Sequence, residues 1–227
     1  KTEYIALTDP NEYAIYDGMI GSTMDGVNVD KYPVDEYLGV TNEFIVPQSS
    51  AKYCKNKVDS YMVGALARFN INHNQLSAGA KAWAQKFGLS APNYNPFMNS
   101  VAQLVETVHS TEDTIAITDK LLERGVNRDE RPKFDVKAGR GVGAVDVPRG
   151  ILFHDYTYNE KGICTKANAI IPTNQNHNNI QKDFEAFAPT LLGKPEKEIE
   201  LNMEMLVRAY DPCISCSCHH LDVKWTR

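Results

Sequence analysis

No stretch of this 227-residue chain approaches the roughly 20 consecutive apolar residues that cross a bilayer, so no direct membrane span is expected. Nor does one sign of charge dominate: 29 Asp and Glu stand against 24 Lys and Arg, mixed along the chain, for a net charge of −5. A protein built to grip nucleic acid or an anionic membrane surface needs the opposite balance. Internal repeats and low-complexity stretches are missing, which excludes arrays and long linkers. Cysteine is scarce: Cys54, Cys164, Cys213, Cys216 and Cys218 make five. An odd set with three members crowded together is no disulfide framework, and it points to a metal or redox role in a reducing, cytoplasmic setting. The opening Lys1-Thr2-Glu3-Tyr4 has neither an initiator Met nor an apolar signal core, so an upstream piece is expected. What remains is globular: 42% hydrophobic and 23% charged residues, enough for one domain or a small pair.

Pattern reading places a first hairpin at Tyr4–Thr8 and Tyr13–Asp17 around an Asp-Pro-Asn turn. Residues 31–60 read as irregular, with one short helix near Val34–Leu38. Apolar spacing predicts helices over Gln75–Phe87, ending at Gly88, and over Ser100–Arg124, ending at Gly125, both as core-packing elements. A second hairpin, Ile151–Tyr158 with Ile163–Ile171, is joined by Asn159-Glu160-Lys161-Gly162. A polar loop is expected from Asn174 to Asn179, then a helix from about Asp183 and another from Pro195 to Tyr210.

The chemistry concentrates in Asp211-Pro212-Cys213-Ile214-Ser215-Cys216-Ser217-Cys218-His219-His220. Cys-x-x-Cys lets two thiolates converge on one metal, and thiolates favour nickel, iron, copper(I) or zinc over magnesium or calcium. A structural zinc site needs about four protein ligands, and no second cluster of this kind occurs here. The motif therefore reads as half a site, completed by His219 and His220 or by another polypeptide. A thioredoxin-type pair fits less well, since the βαβ context is missing.

Asp-Pro-Cys-x-x-Cys-x-x-His resembles the closing signature of nickel–iron hydrogenase large subunits. Three further segments resemble that family in the same order: Tyr61 to Asn70, with Ala65 and Met62 where the family has Pro and Arg; Gly143 to His154, containing Pro148-Arg149-Gly150, with Asp146 in place of Glu; and Ala169 to Asn176. The Tyr4–Ile20 and Phe44–Lys52 regions are similar to its cytoplasmic, cofactor-linked group. The family's other Cys-x-x-Cys, within an N-terminal Arg-x-Cys-Gly-x-Cys, has no counterpart here.

The resemblance implies an α+β fold, helix-rich with small antiparallel sheets, in which residues 1–227 form the C-terminal portion of a large-subunit domain. That portion would be incomplete without an N-terminal part carrying the other two cysteine ligands. It implies a hydrogenase interconverting H₂ with two protons and two electrons at a Ni–Fe centre whose iron carries CO and CN. Cys213 would be terminal on nickel and Cys216 would bridge nickel and iron. Arg149 and Asp211 would be the polar groups above the metals, with Arg149 or a cysteine sulfur taking the proton. Pro148 and Thr173 would line the diatomic ligands, and His219 with the Ala169 carbonyl would hold a Mg or Fe ion. Electrons would leave through the clusters of an iron–sulfur small subunit toward electron-acceptor subunits, because this chain has too few cysteines for its own relay. His154 reads as structural, Cys218 as a packed bystander, and Cys54 and Cys164 as buried small apolar residues. Two other readings stand beside it: a zinc-dependent structural module using Cys213, Cys216 and His219, and a metal-free relative such as the quinone-site subunit of respiratory complex I.

Overall fold

The first strand explains the layering. In β1 (Glu3–Thr8) every residue is buried, because successive side chains point to opposite faces and both faces are covered. Tyr4 and Ala6 enter one apolar cluster, while Ile5 and Leu7 enter another. The computed structural model, which describes residues 1–127, 130 and 132–215, builds a four-stranded sheet around this strand. Its order is β3 (Val29–Tyr32), β2 (Met19–Thr23), β1, β4 (Tyr61–Met62). β1–β2 and β2–β3 are antiparallel, and the short β4 is parallel to β1.

On one face lie α2 (Ala65–Asn72), α3 (Ala78–Lys86), the N-terminal part of α4 (Asn99–Arg124) and the end of α6 (Glu196–Ala209). On the other lies a meander of β5 (Gly139–Val147), β6 (Gly150–Tyr158) and β7 (Cys164–Ile170). α1 (Tyr37–Thr41) closes the second cluster with Tyr37 stacked on Phe153, and α5 (Pro172–Phe187) packs along β4. The expected α+β, helix-rich architecture with small antiparallel sheets is what forms, with one parallel pair added.

Several expectations change. Residues 13–17 are not a strand: Tyr13 hydrogen-bonds Glu106 (2.6 Å) and the Ile15 carbonyl accepts from Asp146 N (2.7 Å), so the segment docks on β5 and the partner of β1 comes later. Residues 31 and 32 belong to a strand, and the short helix follows a 3-10 turn at Val34–Glu36. The helix at Ala78 starts with Ser77 as its cap, and α4 stops at Gly125 as read. Core packing holds for only part of α4, whose buried residues are Asn99, Ala102 and Val105, all in its first two turns. The polar stretch after Pro172 is helix, not loop, because buried partners absorb its amides. The second hairpin and the last helix fall where the pattern puts them.

Candidate metal centre

Three of the motif segments meet at one end of β6. The β5–β6 hairpin turns through Pro148 and Arg149, flanked by the pair Val147 and Gly150; proline at the second and glycine at the fourth position suit such a turn. Gly150 has φ +131°, and a Cβ there would stand 2.4 Å from the Val63 side chain and 2.9 Å from Gly64 N. Only glycine lets the Arg149 loop lie this close to residues 63–64.

Beneath the loop sits Arg68, buried on α2. Its five N–H groups make five hydrogen bonds. Nε and Nη2 grip Glu106 (2.6 and 2.7 Å), Nη1 binds Asp146 (2.6 Å) and the Val147 carbonyl (2.8 Å), and Nη2 also donates to the Pro148 carbonyl (3.0 Å). Burial pushes the Asp146 carboxyl up to about 6, against the pull of Arg68 and of Leu7 N–H, which donates to its other oxygen at 2.8 Å. The guanidinium thereby fixes the backbone on which Arg149 is carried.

α5 supplies the second wall. Val63 N donates to Asn176 Oδ1 (2.8 Å) while Asn176 Nδ2 returns to the Val63 carbonyl (3.2 Å). Gln175 Nε2 donates to the Ile151 carbonyl (2.7 Å), and Asn179 bridges Ser60 (2.9 Å) and the Tyr210 hydroxyl (2.6 Å). Asn176 thereby satisfies both backbone groups of Val63, just beyond the two-residue β4, while Gln175 and Asn179 tie α5 to β6, to Ser60 and to the end of α6. The helix begins at Pro172 without a side-chain cap, so its first N–H groups and positive dipole end are open to an electron-rich neighbour.

α6 delivers the cysteine turn. After Tyr210 the chain enters the left-handed region at Asp211 (φ 49°), whose N–H bonds the Arg208 carbonyl at 2.9 Å. This is a common way to end a helix, and Pro212 prevents its continuation. Asn99, at the start of α4, ties the end down by donating to the Ala209 carbonyl (2.9 Å) and accepting from Leu66 N (2.9 Å).

Two contacts then assemble the expected residues. Arg149 donates through Nε to the Asp211 carbonyl (2.7 Å) and through Nη2 to its carboxylate (3.2 Å), whose other oxygen accepts from Gln103 Nε2 (3.0 Å). Cys213 N donates to Thr173 Oγ1 (3.1 Å) at the start of α5. Arg149, Asp211, Thr173 and Cys213 thus form one constellation. The Arg149 side chain is 41% exposed. Pro148 lines an adjacent cleft of about 590 Å³ with Arg68, Gln103, Glu106 and Asp146.

Ala169 lies on β7 opposite His154, whose ring Nδ1 is 2.7 Å from the Tyr156 hydroxyl. Cys216, Cys218, His219 and His220 lie outside the described residues. Cys54 is buried, with burial pushing its thiol up to about 12. Cys164 is exposed, contrary to expectation, because β7 is an outer strand.

Sequence reading gave no role to Arg68, Asn99, Gln103, Glu106 or Asn176. Arg68 did carry a signal: a lone cation among Ala65, Leu66, Ala67 and Phe69 requires a buried counter-charge.

The nickel-dependent hydrogenase family model matches residues 39–219. The alpha subunit of sulfhydrogenase 1 from Pyrococcus furiosus is 32% identical over 202 residues, covering 89% of this chain and 47% of that protein. A component of the F420-non-reducing hydrogenase from Methanothermobacter marburgensis is 29% identical, covering 98% and 49%. Among solved structures, an NAD+-reducing [NiFe]-hydrogenase in the H2-reduced state superposes with a TM-score of 0.80 at 28% identity, over 96% of this chain and 51% of that one. The Ni-Fe-Se hydrogenase of D. vulgaris Hildenborough shares the fold at 20% identity, with a TM-score of 0.60. The chain spans about half the length of the curated relatives it matches.

Proposed function

This chain belongs to the nickel-dependent hydrogenase family, and from that premise we propose that residues 1–227 are the C-terminal portion of a hydrogenase large-subunit domain, contributing half of the thiolate ligands of a Ni–Fe centre. The observation that carries the reading is the convergence of Arg149, Thr173 and the Asp-Pro-Cys turn. These come from three distant segments and meet where the first cysteine of the motif leaves α6.

The donor set suits the group. Cys213 is a soft ligand type, and its backbone N–H is tied to Thr173 at the start of α5. Thr173 Oγ1 accepts from Cys213 N, which leaves its own hydrogen to donate to a cyanide nitrogen on iron. Cys213 and Cys216 would hold the metals, and His219 with the Ala169 carbonyl would hold a neighbouring Mg or Fe ion. Among the described residues no three His, Cys, Asp or Glu side chains converge. The sequence has one Cys-x-x-Cys, so the two remaining thiolates come from polypeptide outside these 227 residues.

When bound, the centre supplies a redox-active site for the heterolysis of H₂ to protons and electrons. This chain's residues prepare it. Arg149, charged at any physiological pH, holds the Asp211 carboxylate in place and keeps a cation beside Cys213. Arg149 or a cysteine sulfur would take the proton. Electrons pass to the clusters of an iron–sulfur small subunit, then to acceptor subunits, in a cytoplasmic complex.

Metal analysis of the purified complex together with Cys213→Ser tests this. Nickel is expected together with iron in excess of it, the surplus belonging to the small subunit's clusters, with nickel and H₂ uptake both lost in the variant. Zinc in place of nickel would make the chain a structural module, and absence of both nickel and zinc would make it a non-catalytic relative. Full activity of Cys213→Ser would end the proposal.

A further inference from the structure

The distal part of α4 does not pack as a core helix. All fifteen residues from Ser110 to Arg124 are exposed, including Ile115 (58%) and Leu122 (72%). Four turns of helix open to water are marginal without a tertiary partner.

The distribution of side chains is not that of a solvated helix. At ~100° per residue, Glu112, Asp113, Asp119, Lys120, Glu123 and Arg124 all fall within one arc of roughly 140°. The opposite arc holds Thr111, Thr114, Ile115, Thr118, Leu121 and Leu122, with no charge. Its hydroxyls are already satisfied: Thr111 donates to the Thr107 carbonyl (2.7 Å), Thr114 to that of Ser110 (2.6 Å) and Thr118 to that of Thr114 (2.7 Å). A threonine bonded back to its own helix turns its methyl outward and asks nothing of its neighbour, so this arc can be buried against apolar protein without an unmet donor.

The arc also leads to the metal turn. Gln103 lies on the same side of α4 as Thr114 and Leu121 and donates to Asp211 at 3.0 Å. The cleft along this side, about 590 Å³, runs from Thr114 and Ile115 to Pro148, beside Arg149.

We infer that the uncharged arc of distal α4 is the docking seam for the polypeptide that carries the second Cys-x-x-Cys. The inference rests on the reading that two thiolates come from outside these residues. The occupant is identified by extent and by continuity. The match accounts for 51% of the NAD+-reducing relative's chain, and the other half of such a chain has to pack against something. A seam ending at Asp211 guides it to where its ligands are needed.

The test is made on the purified, assembled hydrogenase. A photoreactive benzoylphenylalanine replaces Thr118 on the seam or, as control, Glu123 on the charged arc, and the cross-linked peptides are sequenced. The expected product joins position 118 to the segment bearing the other Cys-x-x-Cys, in a separate chain or in the same one, with little product from position 123. A cross-link to a second copy of this chain, to the iron–sulfur subunit, or to nothing would overturn the inference. In parallel, Leu122→Asp, a change at an exposed residue that leaves this chain's own core intact, should lower bound nickel in the assembled enzyme by tenfold or more; unchanged nickel would count against the seam. Nickel in the wild-type complex separates the two failures: nickel present with the cross-link elsewhere sinks the seam alone, whereas nickel absent sinks the metal-centre reading.

Discussion

Arg149 matters less for its charge than for the shape of its grip. Its Nε and Nη2 reach the Asp211 carbonyl and carboxylate together, a fork that a lysine ammonium cannot reproduce. Arg149→Lys is therefore expected to retain nickel and to slow H₂ turnover by at least about a hundredfold, the scale of a lost electrostatic or acid–base group. Metal content and initial rates measured side by side check this, and wild-type rates would remove Arg149 from the chemistry. The two outlying cysteines give a contrast in access. Cys54 is buried, its thiol pushed up to about 12 by burial, with Asn174 Nδ2 3.6 Å from its sulfur, while Cys164 is exposed. Brief iodoacetamide treatment of the native protein at neutral pH should alkylate Cys164 and leave Cys54 untouched, as read by peptide mass; modification of both at equal rates would contradict the burial.

The element that organises the site is the α2 helix through Arg68, which binds the β5–β6 turn from below. Arg68→Met would leave Asp146 and Glu106 without their cation and should cost about 3–5 kcal/mol, read as a lowered denaturation midpoint. The pH dependence follows from Asp146. Its folded value of about 6 lies above the ordinary carboxylate value of 3.8, so the folded state holds the proton more tightly. Its contribution is fully present below about 4, is lost as pH rises to about 6, and is constant above that. The total change is at most about 3 kcal/mol. Stability of the wild type relative to Asp146→Asn should fall across that window and be flat from pH 7 to 8. The sequence made the hairpin at Gly150–Ile170 and the ends of α4 legible, since period-2 alternation, an Asn-Glu-Lys-Gly turn and a terminal glycine are local signals. The helix at Pro172 was not legible: its Asn and Gln side chains read as loop until Val63, Ile151 and Ser60 are seen to absorb them. Of the site, the motifs disclosed Arg149, Asp211, Thr173 and Cys213. The supports Arg68, Asn99, Gln103 and Asn176 stayed hidden because their partners lie between 33 and 113 positions away, in tertiary contacts.

Across the whole molecule, order is graded from the two-sided core outward. β1 lies between two apolar layers: Ile5 and Leu7 share one cluster with Ile151 and Phe153 of β6, and Tyr4 and Ala6 join the other. Opening β1 requires exposing both clusters, so its amides should exchange only through global unfolding. Residues 110–124 have hydrogen bonds of the helix and little else, every one of them being exposed. In this chain taken alone, their amides should exchange orders of magnitude faster than those of β1, because local helix opening there uncovers almost no apolar surface. In the assembled enzyme the same amides should become protected to a degree near that of β1, while β1 changes little. Hydrogen–deuterium exchange followed by peptide mass, on the chain and on the complex, measures both. Protection of 110–124 equal to that of β1 already in the chain alone would mean that the helix is stabilised from within, and that the asymmetry of its faces serves no partner.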